Sequence, residues 1–250
     1  MFKKSKKIDF TKILDISDLY NPYPTKKNIP DWYKKTQPFY DDKNILTKQT
    51  SKTIKKCIPV LDAMTMGYII TTYCDIYINY NPINKNNLTE IGVDLNYIRP
   101  KIIYSNNSVP TAIEFHEINQ LKDHPLSNNK DALKFINAWS IKTPPGYSCL
   151  FINPMHNPSK IFTILEGVVD TDKYNNMVNF PFILKDKDFS GIIPAGTPIA
   201  QIIPFKRNLW EMKINKKEKN ILKAKNHHTI LNSVFLNAYK KNFWSRKEYN

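Results

Sequence analysis

Two carboxylates stand two positions apart, directly after a β-branched run, in the segment Gly167-Val168-Val169-Asp170-Thr171-Asp172. Carboxylates at the end of a strand can activate a water molecule as general bases or bind a metal ion. Asp side chains at such places also cap the backbone N–H groups of a turn. The pattern favours the turn and leaves Asp170 as the candidate catalytic residue.

His156 is another candidate functional residue, and it stands in a short segment between Pro154 and Pro158. Its imidazole could bind a ligand or donate a proton, and a histidine in a surface turn is the simpler interpretation. His227 and His228 are neighbours, and adjacent positions of a helix point in different directions. The sequence therefore predicts no metal site and no cofactor.

The three cysteines, Cys57, Cys74 and Cys149, are widely spaced, and each lies in an apolar run. Since no pair has the spacing of a zinc or redox motif, we expect three buried free thiols in a reducing compartment. The basic N-terminus lacks a following apolar segment, and no run approaches the ~18 apolar residues of a membrane span. These features predict a cytoplasmic protein, in the host cytoplasm or the virion if a phage encodes it, that is neither secreted nor membrane-bound.

The chain of 250 residues has a formal net charge of +15, and all its 37 basic residues except Arg99, Arg207 and Arg246 are lysine. Lysine is a hydrated point charge and is poorer than arginine at bidentate recognition of phosphates and bases. The charge predicts non-specific attraction to an acidic or nucleic-acid partner through a lysine-rich surface, or it reflects the composition of an AT-rich genome.

Short runs of β-branched and aromatic residues, separated by Pro, Gly and Asn turns, are typical of an all-β fold. We predict a β-barrel domain over residues 52–214, after an extended arm with short helices over 1–51 and before a helix and basic tail over 215–250. The helix is expected over residues 216–242. Strands are predicted at Thr53–Val60, Tyr68–Tyr80, Ile91–Tyr104, Ala112–Ile118, Leu133–Ile141, Tyr147–Asn153, Ile161–Val169, Met177–Leu184 and Ile199–Phe205.

Three tryptophans are expected to anchor parts of the chain to the core or to a partner. A short helix after Pro30, carrying Trp32 and Tyr33, is expected to anchor an arm that wraps around the core, or else to stack on a ligand or partner. Trp139 and Trp210 are expected to be core or subunit-interface anchors.

Three segments in the same order and spacing resemble signatures of the dUTPase and dCTP-deaminase superfamily. Gly167–Asp172 resembles the third signature, Gly-Val-Ile-Asp-x-Asp-Tyr-x-Gly, and Gly196–Ile203 resembles the fourth, Gly-Asp-x-Ile-Ala-Gln-Leu. Pro145–Tyr147 resembles the proline-glycine that opens the strand before the second signature, and Asp62–Tyr68 stands at the location of the first. The resemblance covers residues 140–205 and, weakly, 58–80. It implies a β-clip or jelly-roll-like barrel, commonly assembled as a homotrimer with sites between subunits.

The resemblance also implies residue roles. A carboxylate at the position of Asp170 orients or deprotonates the attacking water and binds the sugar hydroxyl. The candidate ligand-binding residues are Asp172, Tyr174, Gln201 and His156.

The sequence departs from the family where the family binds phosphate. Asn153–Pro158 stands where an Arg-Ser pair is expected, and no arginine lies between Arg99 and Arg207. Lys173 displaces the tyrosine of the third signature by one position, and Thr197 replaces the aspartate of the fourth. The lost groups are those that grip a triphosphate, while the turns that build the barrel remain.

Two functions follow from this pattern. The favoured one is a non-catalytic dUTPase-like scaffold or binding protein, a homotrimer that would suit a phage or viral structural or accessory protein. The alternative is a diverged dNTP pyrophosphohydrolase that uses Mg²⁺ and has rebuilt its phosphate contacts from Lys160, Lys173 or His156.

Overall fold

A computed structural model of the protein describes residues 6–43, 50–80, 89–93, 112–125, 132–186, 189–214 and 239–250. By their contacts the residues form two compact units. The first comprises Met1–Thr36, Ala63–Arg207 and Tyr249–Asn250, and the second comprises Gln37–Asp62 and Asn208–Glu248. The domain boundaries predicted from the sequence stay predictions.

Strands dominate the described chain, which confirms the predicted mainly β class. They are, in chain order, β1 (Asp9–Lys12), β2 (Tyr23–Pro24), β3 (Phe39–Lys43), β4 (Thr50–Lys52), β5 (Tyr68–Thr71), β6 (Ile76–Tyr80), β7 (Thr89–Val93), β8 (Ile113–His116), β9 (Ala132–Phe135), β10 (Trp139–Lys142), β11 (Tyr147–Ile152), β12 (Phe162–Ile164), β13 (Gly167–Val169), β14 (Phe180–Leu184), β15 (Ser190–Ile193) and β16 (Pro198–Lys206). The helices are α1 (Asp31–Lys35) and α2 (Ile58–Thr65), with 3-10 turns at Asp18–Tyr20, Thr25–Asn28, Ile54–Lys56 and Ile118–Gln120 and a π-turn at Tyr239–Phe243. Within the described ranges, no helix is long and apolar enough to cross a membrane.

The sheets of the first unit are antiparallel. The largest has the order β13-β11-β16-β5-β2, a second has the order β12-β14-β9-β8, a third has the order β15-β6-β7, and β1 pairs with β10. In the second unit β3 pairs with β4. The described strands do not close into a barrel.

Aromatic packing fills the core of the first unit. The ring of Phe135 stacks on that of Phe182 with centroids 4.0 Å apart, and it meets Phe162 edge-on at 4.9 Å. Trp139 is 6% exposed and joins the same core, which confirms it as a core anchor.

The N-terminal segment joins this unit through strands that the sequence pattern did not predict. β1 lies along β10, and β2 lies along β5 at the edge of the largest sheet. The short helix expected after Pro30 is present as α1, in which Tyr33 is buried.

The strand predicted over Thr53–Val60 is wrong. Thr53 instead begins a 3-10 turn, since its hydroxyl accepts a hydrogen bond from the N–H of Lys55 at 3.2 Å. Helix α2 then follows with Pro59 in its first turn, where a missing N–H costs nothing. Capping has therefore overridden the β-branched composition of this stretch.

Three predicted strands are divided. Ile161–Val169 forms β12 and β13, which belong to different sheets. The two others are interrupted by side chains that bond elsewhere. Tyr68–Tyr80 divides into β5 and β6 because Thr72 and Asp75 bind the turn at residues 194–197. Leu133–Ile141 divides into β9 and β10 at Asn137, whose side chain bonds to both backbone groups of Trp139. The strand β15 was not predicted. Residues 94–104 of the predicted strand Ile91–Tyr104, and residues 216–238 of the predicted helix, lie outside the described ranges.

Candidate functional site

The candidate site lies at the start of β11, which runs between β13 and β16. Antiparallel pairing places Cys149 opposite Val169 and Ser148 opposite Phe205. Because β13 and β16 are both antiparallel to β11, each of them ends beside the beginning of β11. Asp170 directly follows β13 and Arg207 directly follows β16, so the pairing brings them together. We call Ser148, Asp170, Asp172 and Arg207 the carboxylate–arginine cluster.

Asp172 is the most tightly held member of this cluster. Nη1 of Arg207 donates to its Oδ1 at 2.8 Å, and Nη2 donates to its Oδ2, so the guanidinium binds the carboxylate through two bonds. The backbone N–H of Gly146 also donates to Oδ2, at 2.8 Å. The side chain of Asp172 is only 6% exposed. Its carboxylate therefore joins the turn before β11 to the end of β16.

Asp170 is held less completely. The hydroxyl of Ser148 donates to its Oδ1 at 2.7 Å, and Nη1 of Arg207 lies 3.2 Å from the same oxygen. The side chain is 50% exposed. Asp170 is thus the carboxylate of the pair that solvent reaches, and it shares its arginine with Asp172.

The charges of the cluster shift its ionisation. The hydrogen bonds from Arg207 hold the pKa of Asp172 well below its usual range, against the opposing effect of burial, and the N–H of Gly146 lowers it further. The same pairing raises the pKa of Arg207. At neutral pH Asp172 and Arg207 therefore form a charged pair.

This ion pair predicts a specific acid sensitivity. Because the pKa of Asp172 is lowered in the folded state, the pair stabilises the fold above the ordinary Asp pKa of ~3.9, and this stabilisation is lost as the pH falls below that value. Urea unfolding midpoints of the wild type should therefore decline from about pH 5 downwards. Asp172→Asn should be less stable than the wild type at pH 7 and should lose less stability on acidification.

The matched control is Asp123→Asn, because Asp123 is an exposed carboxylate outside the cluster. This variant should keep the wild-type acid profile. Parallel acid profiles for Asp172→Asn and the wild type would show that the pair does not stabilise the fold.

Thr171, between the two aspartates, points into the protein. It is fully buried, and its hydroxyl lies 2.8 Å from that of Thr143 and 3.3 Å from Sγ of Cys149. Burial raises the pKa of the Cys149 thiol to about 11, so this sulfur is a structural group. The segment 170–172 therefore alternates, with its threonine anchored inside and its two carboxylates facing Arg207.

Gln201 lies at the other end of β11, opposite Ile152. Ile152 is four positions along the strand from Ser148, a distance of about 13 Å. The amide of Gln201 is fully buried: Nε2 donates to the carbonyls of Ala63 and Met66 at 2.9 and 2.7 Å, and Oε1 accepts from the N–H of Met155 at 2.8 Å. These contacts hold the backbone together and leave Gln201 far from the carboxylates.

The segment at the place of the expected Arg-Ser pair uses its polar groups internally. The side-chain amide of Asn153 bonds to both backbone groups of Ile164, and Glu166 accepts from the N–H of Asn153 at 3.1 Å. His156 is exposed, with a left-handed φ of 59°, and its carbonyl accepts from Nε1 of Trp32 at 2.9 Å. This segment is a hydrogen-bonded turn.

The predicted site residues therefore form two groups. Asp170, Asp172 and Tyr174 share one turn, in which the N–H of Tyr174 donates to the carbonyl of Asp170 at 2.9 Å while its ring is 44% exposed. His156 and Gln201 belong to the opposite end of β11. The structure does not bring the two groups together.

Sequence reasoning missed Arg207 and Ser148. A signal for Arg207 existed, because it is one of only three arginines and directly follows the strand of the fourth signature. Ser148 had no such signal. The described residues contain no group of three or more His, Cys, Asp or Glu side chains that could hold a metal ion.

The cysteine prediction is correct in part. All three thiols are free, and Cys74 and Cys149 are buried, but Cys57 is partly exposed. Burial raises the pKa of Cys74 to about 12, which makes it unreactive at neutral pH.

No model of a known protein family matches this chain, and no curated protein resembles it significantly in sequence.

Proposed function

We propose that this protein is a non-catalytic scaffold or binding protein with a dUTPase-like β-clip core, assembled as a homotrimer. The observation that carries the proposal is that the chain's own Arg207 occupies both carboxylates that would otherwise do chemistry. A structural or accessory role in a phage or virus would suit such a scaffold.

Water activation requires a carboxylate that can accept a proton near the working pH. The lowered pKa of Asp172 makes it a very weak base. Asp170 already accepts a hydrogen bond from the hydroxyl of Ser148, and the same oxygen lies 3.2 Å from Nη1 of Arg207. Neither carboxylate is thus suited to the role that the family resemblance implies.

Phosphate binding lacks support in the same region. Arg207 would be the best phosphate ligand because its donors form a planar fork, but that fork is bound to Asp172. In the turn that replaces the Arg-Ser pair, the side chain of Asn153 donates hydrogen bonds to the carbonyl of Ile164 and to the carboxylate of Glu166. The bonding of these groups to one another therefore supports a structural role for the site and not triphosphate hydrolysis.

Nucleotide turnover tests the non-catalytic proposal. We expect the purified full chain, incubated with each of the four dNTPs and dUTP with Mg²⁺, to release no pyrophosphate above a protein-free blank. Magnesium-dependent release that is lost in Asp170→Asn would contradict the proposal and establish the pyrophosphohydrolase alternative.

The homotrimer is supported by an apolar segment of the second unit. Leu209, Trp210, Met212 and Ile214 are 83–104% exposed. Residues 208–214 form neither helix nor strand, and three of the four apolar residues occupy alternate positions, which share one face of an extended chain. Exposed apolar side chains in a cluster typically mark a protein–protein contact. A second copy of the chain is the occupant that the trimer would supply, so we assign Trp210 as a subunit-interface anchor.

Charging this segment should dissociate the assembly. We expect Trp210→Asp/Met212→Asp to lower the molar mass measured by light scattering from that of a trimer to that of a monomer, because aromatic anchors contribute ~2 kcal/mol or more each to an interface. Leu19→Asp is the matched control, since Leu19 is 80% exposed in the first unit and should leave the mass unchanged. A wild type that is monomeric at micromolar concentration would contradict the assembly proposal.

A further inference from the structure

A cavity in the first unit lies beside the turn at residues 194–197. It has a volume of about 510 Å³, within the usual range of ligand sites, roughly 300–1,000 Å³. Its lining comprises Leu19, Tyr20, Tyr23, Thr71, Asp75, Pro194, Ala195 and Gly196. We call it the tyrosine pocket. It shares no residue with the carboxylate–arginine cluster, so its ligand is independent of the proposed function.

One wall of the tyrosine pocket is the turn, which is bonded to Thr72, the residue after β5. The hydroxyl of Thr72 accepts from the N–H of Thr197 at 3.0 Å and donates to the carbonyl of Pro194 at 2.7 Å. The N–H of Gly196 donates to the carbonyl of Thr72 at 2.9 Å. A wall fixed by these bonds loses little conformational entropy when a ligand binds.

Asp75 contacts this wall through one of its two carboxylate oxygens. Its Oδ1 accepts a hydrogen bond from the N–H of Ala195 at 2.6 Å. In the part of the chain that the structure describes, Oδ2 accepts none. The carboxylate is therefore held in position through one oxygen, and a ligand can bind the other oxygen without breaking a bond of the protein.

Two hydroxyl groups of the tyrosine pocket also retain their hydrogen-bonding capacity. Thr71 is only 7% exposed and Tyr23 is partly buried, and neither side-chain hydroxyl bonds to a described residue. Burial raises the pKa of Tyr23 above its ordinary value, so this hydroxyl is uncharged at neutral pH. Buried polar side chains normally have a hydrogen-bond partner, and a ligand with N–H donors would provide one.

The rest of the lining is aromatic and aliphatic. Tyr20 and Tyr23 contribute rings, and Leu19 and Pro194 contribute aliphatic surface. The face of an aromatic ring attracts a cation, and this attraction increases when the cation is shielded from water. A carboxylate beside two tyrosines therefore suits a cation that is attached to an apolar group.

We propose that the tyrosine pocket binds a small organic amine in its ammonium form, with an apolar body attached to the nitrogen. The ammonium group donates to Oδ2 of Asp75 and to the hydroxyls of Thr71 and Tyr23. Leu19 and the ring of Tyr20 contact the apolar body. The pocket is a binding site only, and no bond of the ligand is broken there.

Titration of the full chain with three probes, followed by ¹H–¹⁵N NMR, tests this proposal. Benzylammonium has the charge and the ring, benzyl alcohol has the ring without the charge, and methylammonium has the charge without the ring. We expect benzylammonium to shift the N–H signals of Ala195 and Gly196. Benzyl alcohol should bind about tenfold more weakly because it makes no hydrogen bond between charged groups, and methylammonium about tenfold more weakly because it buries no ring.

The probe series can contradict the proposal without any variant. The proposal is overturned if benzylammonium at millimolar concentration leaves the Ala195 and Gly196 signals unshifted. Benzyl alcohol or methylammonium binding as tightly as benzylammonium would overturn it as well.

Variants locate the site. Asp75→Asn keeps an oxygen that can accept from the N–H of Ala195, but it removes the charge and places an N–H donor where Oδ2 stood. It should weaken benzylammonium about tenfold or more. Tyr23→Phe removes only a hydroxyl and should weaken benzylammonium about threefold. Thermal unfolding of each variant verifies that it is folded.

Asp123→Asn is the matched control, because Asp123 is exposed and does not line the tyrosine pocket. It raises the formal net charge as much as Asp75→Asn does and should leave benzylammonium affinity within about twofold of the wild type. Equal affinity in Asp75→Asn and the wild type overturns the assignment. An equal loss in Asp75→Asn and Asp123→Asn shows that net charge, and not the pocket, governs binding, and it also overturns the assignment. If Asp75→Asn does not fold, an unchanged benzylammonium affinity in Tyr23→Phe overturns it instead.

Discussion

Gly67→Ala is expected to destabilise the protein far more than Gly196→Ala, although both glycines have nearly the same backbone conformation. Their φ angles are 79° and 80°, in the left-handed region that costs an L-residue about 1–2 kcal/mol. A Cβ on Gly67 would lie 2.0 Å from the carbonyl oxygen of Ile202, whereas a Cβ on Gly196 would meet nothing within 4 Å. The two substitutions therefore differ only in steric overlap.

The overlap at Gly67 involves backbone that cannot easily move. Ile202 is fully buried in β16 and pairs with Tyr68 of β5. Relief of the overlap requires that the two strands separate, so we expect Gly67→Ala to cost roughly 3–5 kcal/mol and Gly196→Ala about 1–2 kcal/mol. Urea unfolding midpoints of the two variants measure the difference. Equal losses would contradict the close approach of Gly67 to β16.

Gln201→Glu is the second substitution with a large expected effect, because it changes one buried group without changing its size. Glutamate keeps an acceptor for the N–H of Met155 but removes both hydrogens that bind the carbonyls of Ala63 and Met66. An ionised carboxylate would also face those two carbonyl oxygens in a fully buried place. We expect a loss of roughly 3 kcal/mol or more at pH 7.

The loss caused by Gln201→Glu should depend on pH with a definite sign. Burial and the facing carbonyls favour the protonated carboxyl, so the pKa of this glutamate is raised in the folded state above its ordinary ~4.3. Protonation restores one donor, and the destabilisation therefore shrinks as the pH falls through the raised pKa. Urea midpoints at a series of pH values report this recovery.

Gln37→Glu is the control, because it makes the same substitution at an exposed residue. It should cost less than about 0.5 kcal/mol and show no such pH dependence. A loss in Gln201→Glu no larger than that in Gln37→Glu would show that Gln201 does not hold Met155, Ala63 and Met66 together.

These two residues explain what the signature-like segments do in this chain. Gly67 belongs to the segment at the location of the first signature, and Gln201 belongs to the segment that resembles the fourth. In the structure Gly67 approaches Ile202, the neighbour of Gln201, and Gln201 binds the carbonyls that precede Gly67. The two segments fit each other closely, which is a structural role that needs no nucleotide.

The strands around the site could be predicted because the intrinsic preference of their own residues for extended backbone is enough to form them. Val168, Val169 and the run from Ile199 to Phe205 favour extended backbone, and they form β13 and β16. The break between β5 and β6 could not be predicted, because Asp75 bonds to the N–H of Ala195, 120 residues away in the chain. The local sequence around Asp75 does not identify a hydrogen-bond partner so distant in the chain.

The pairing of the two carboxylates with Arg207 was beyond sequence reasoning for the same reason. Thirty-five residues separate Arg207 from Asp172, and only the antiparallel register of β11 with both neighbours brings them together. The resemblance to the dUTPase signatures showed that an Arg-Ser pair is absent, but it gave no indication that the arginine after β16 would bind the aspartates themselves.

The claim that Arg207 gives Asp170 and Asp172 a structural role is tested most directly by the carboxyl titration of Asp172. The titration is followed by ¹³C NMR of the wild-type protein, with and without Mg²⁺ and dUTP. If Arg207 commits the pair to structure, Asp172 remains ionised well below the ordinary Asp pKa of ~3.9, and neither Asp172 nor Asp170 changes its carboxyl shift when Mg²⁺ and nucleotide are added. An ordinary pKa for Asp172, or carboxyl shifts at Asp170 and Asp172 that respond to Mg²⁺ with dUTP, would show that the carboxylates are available for nucleotide chemistry.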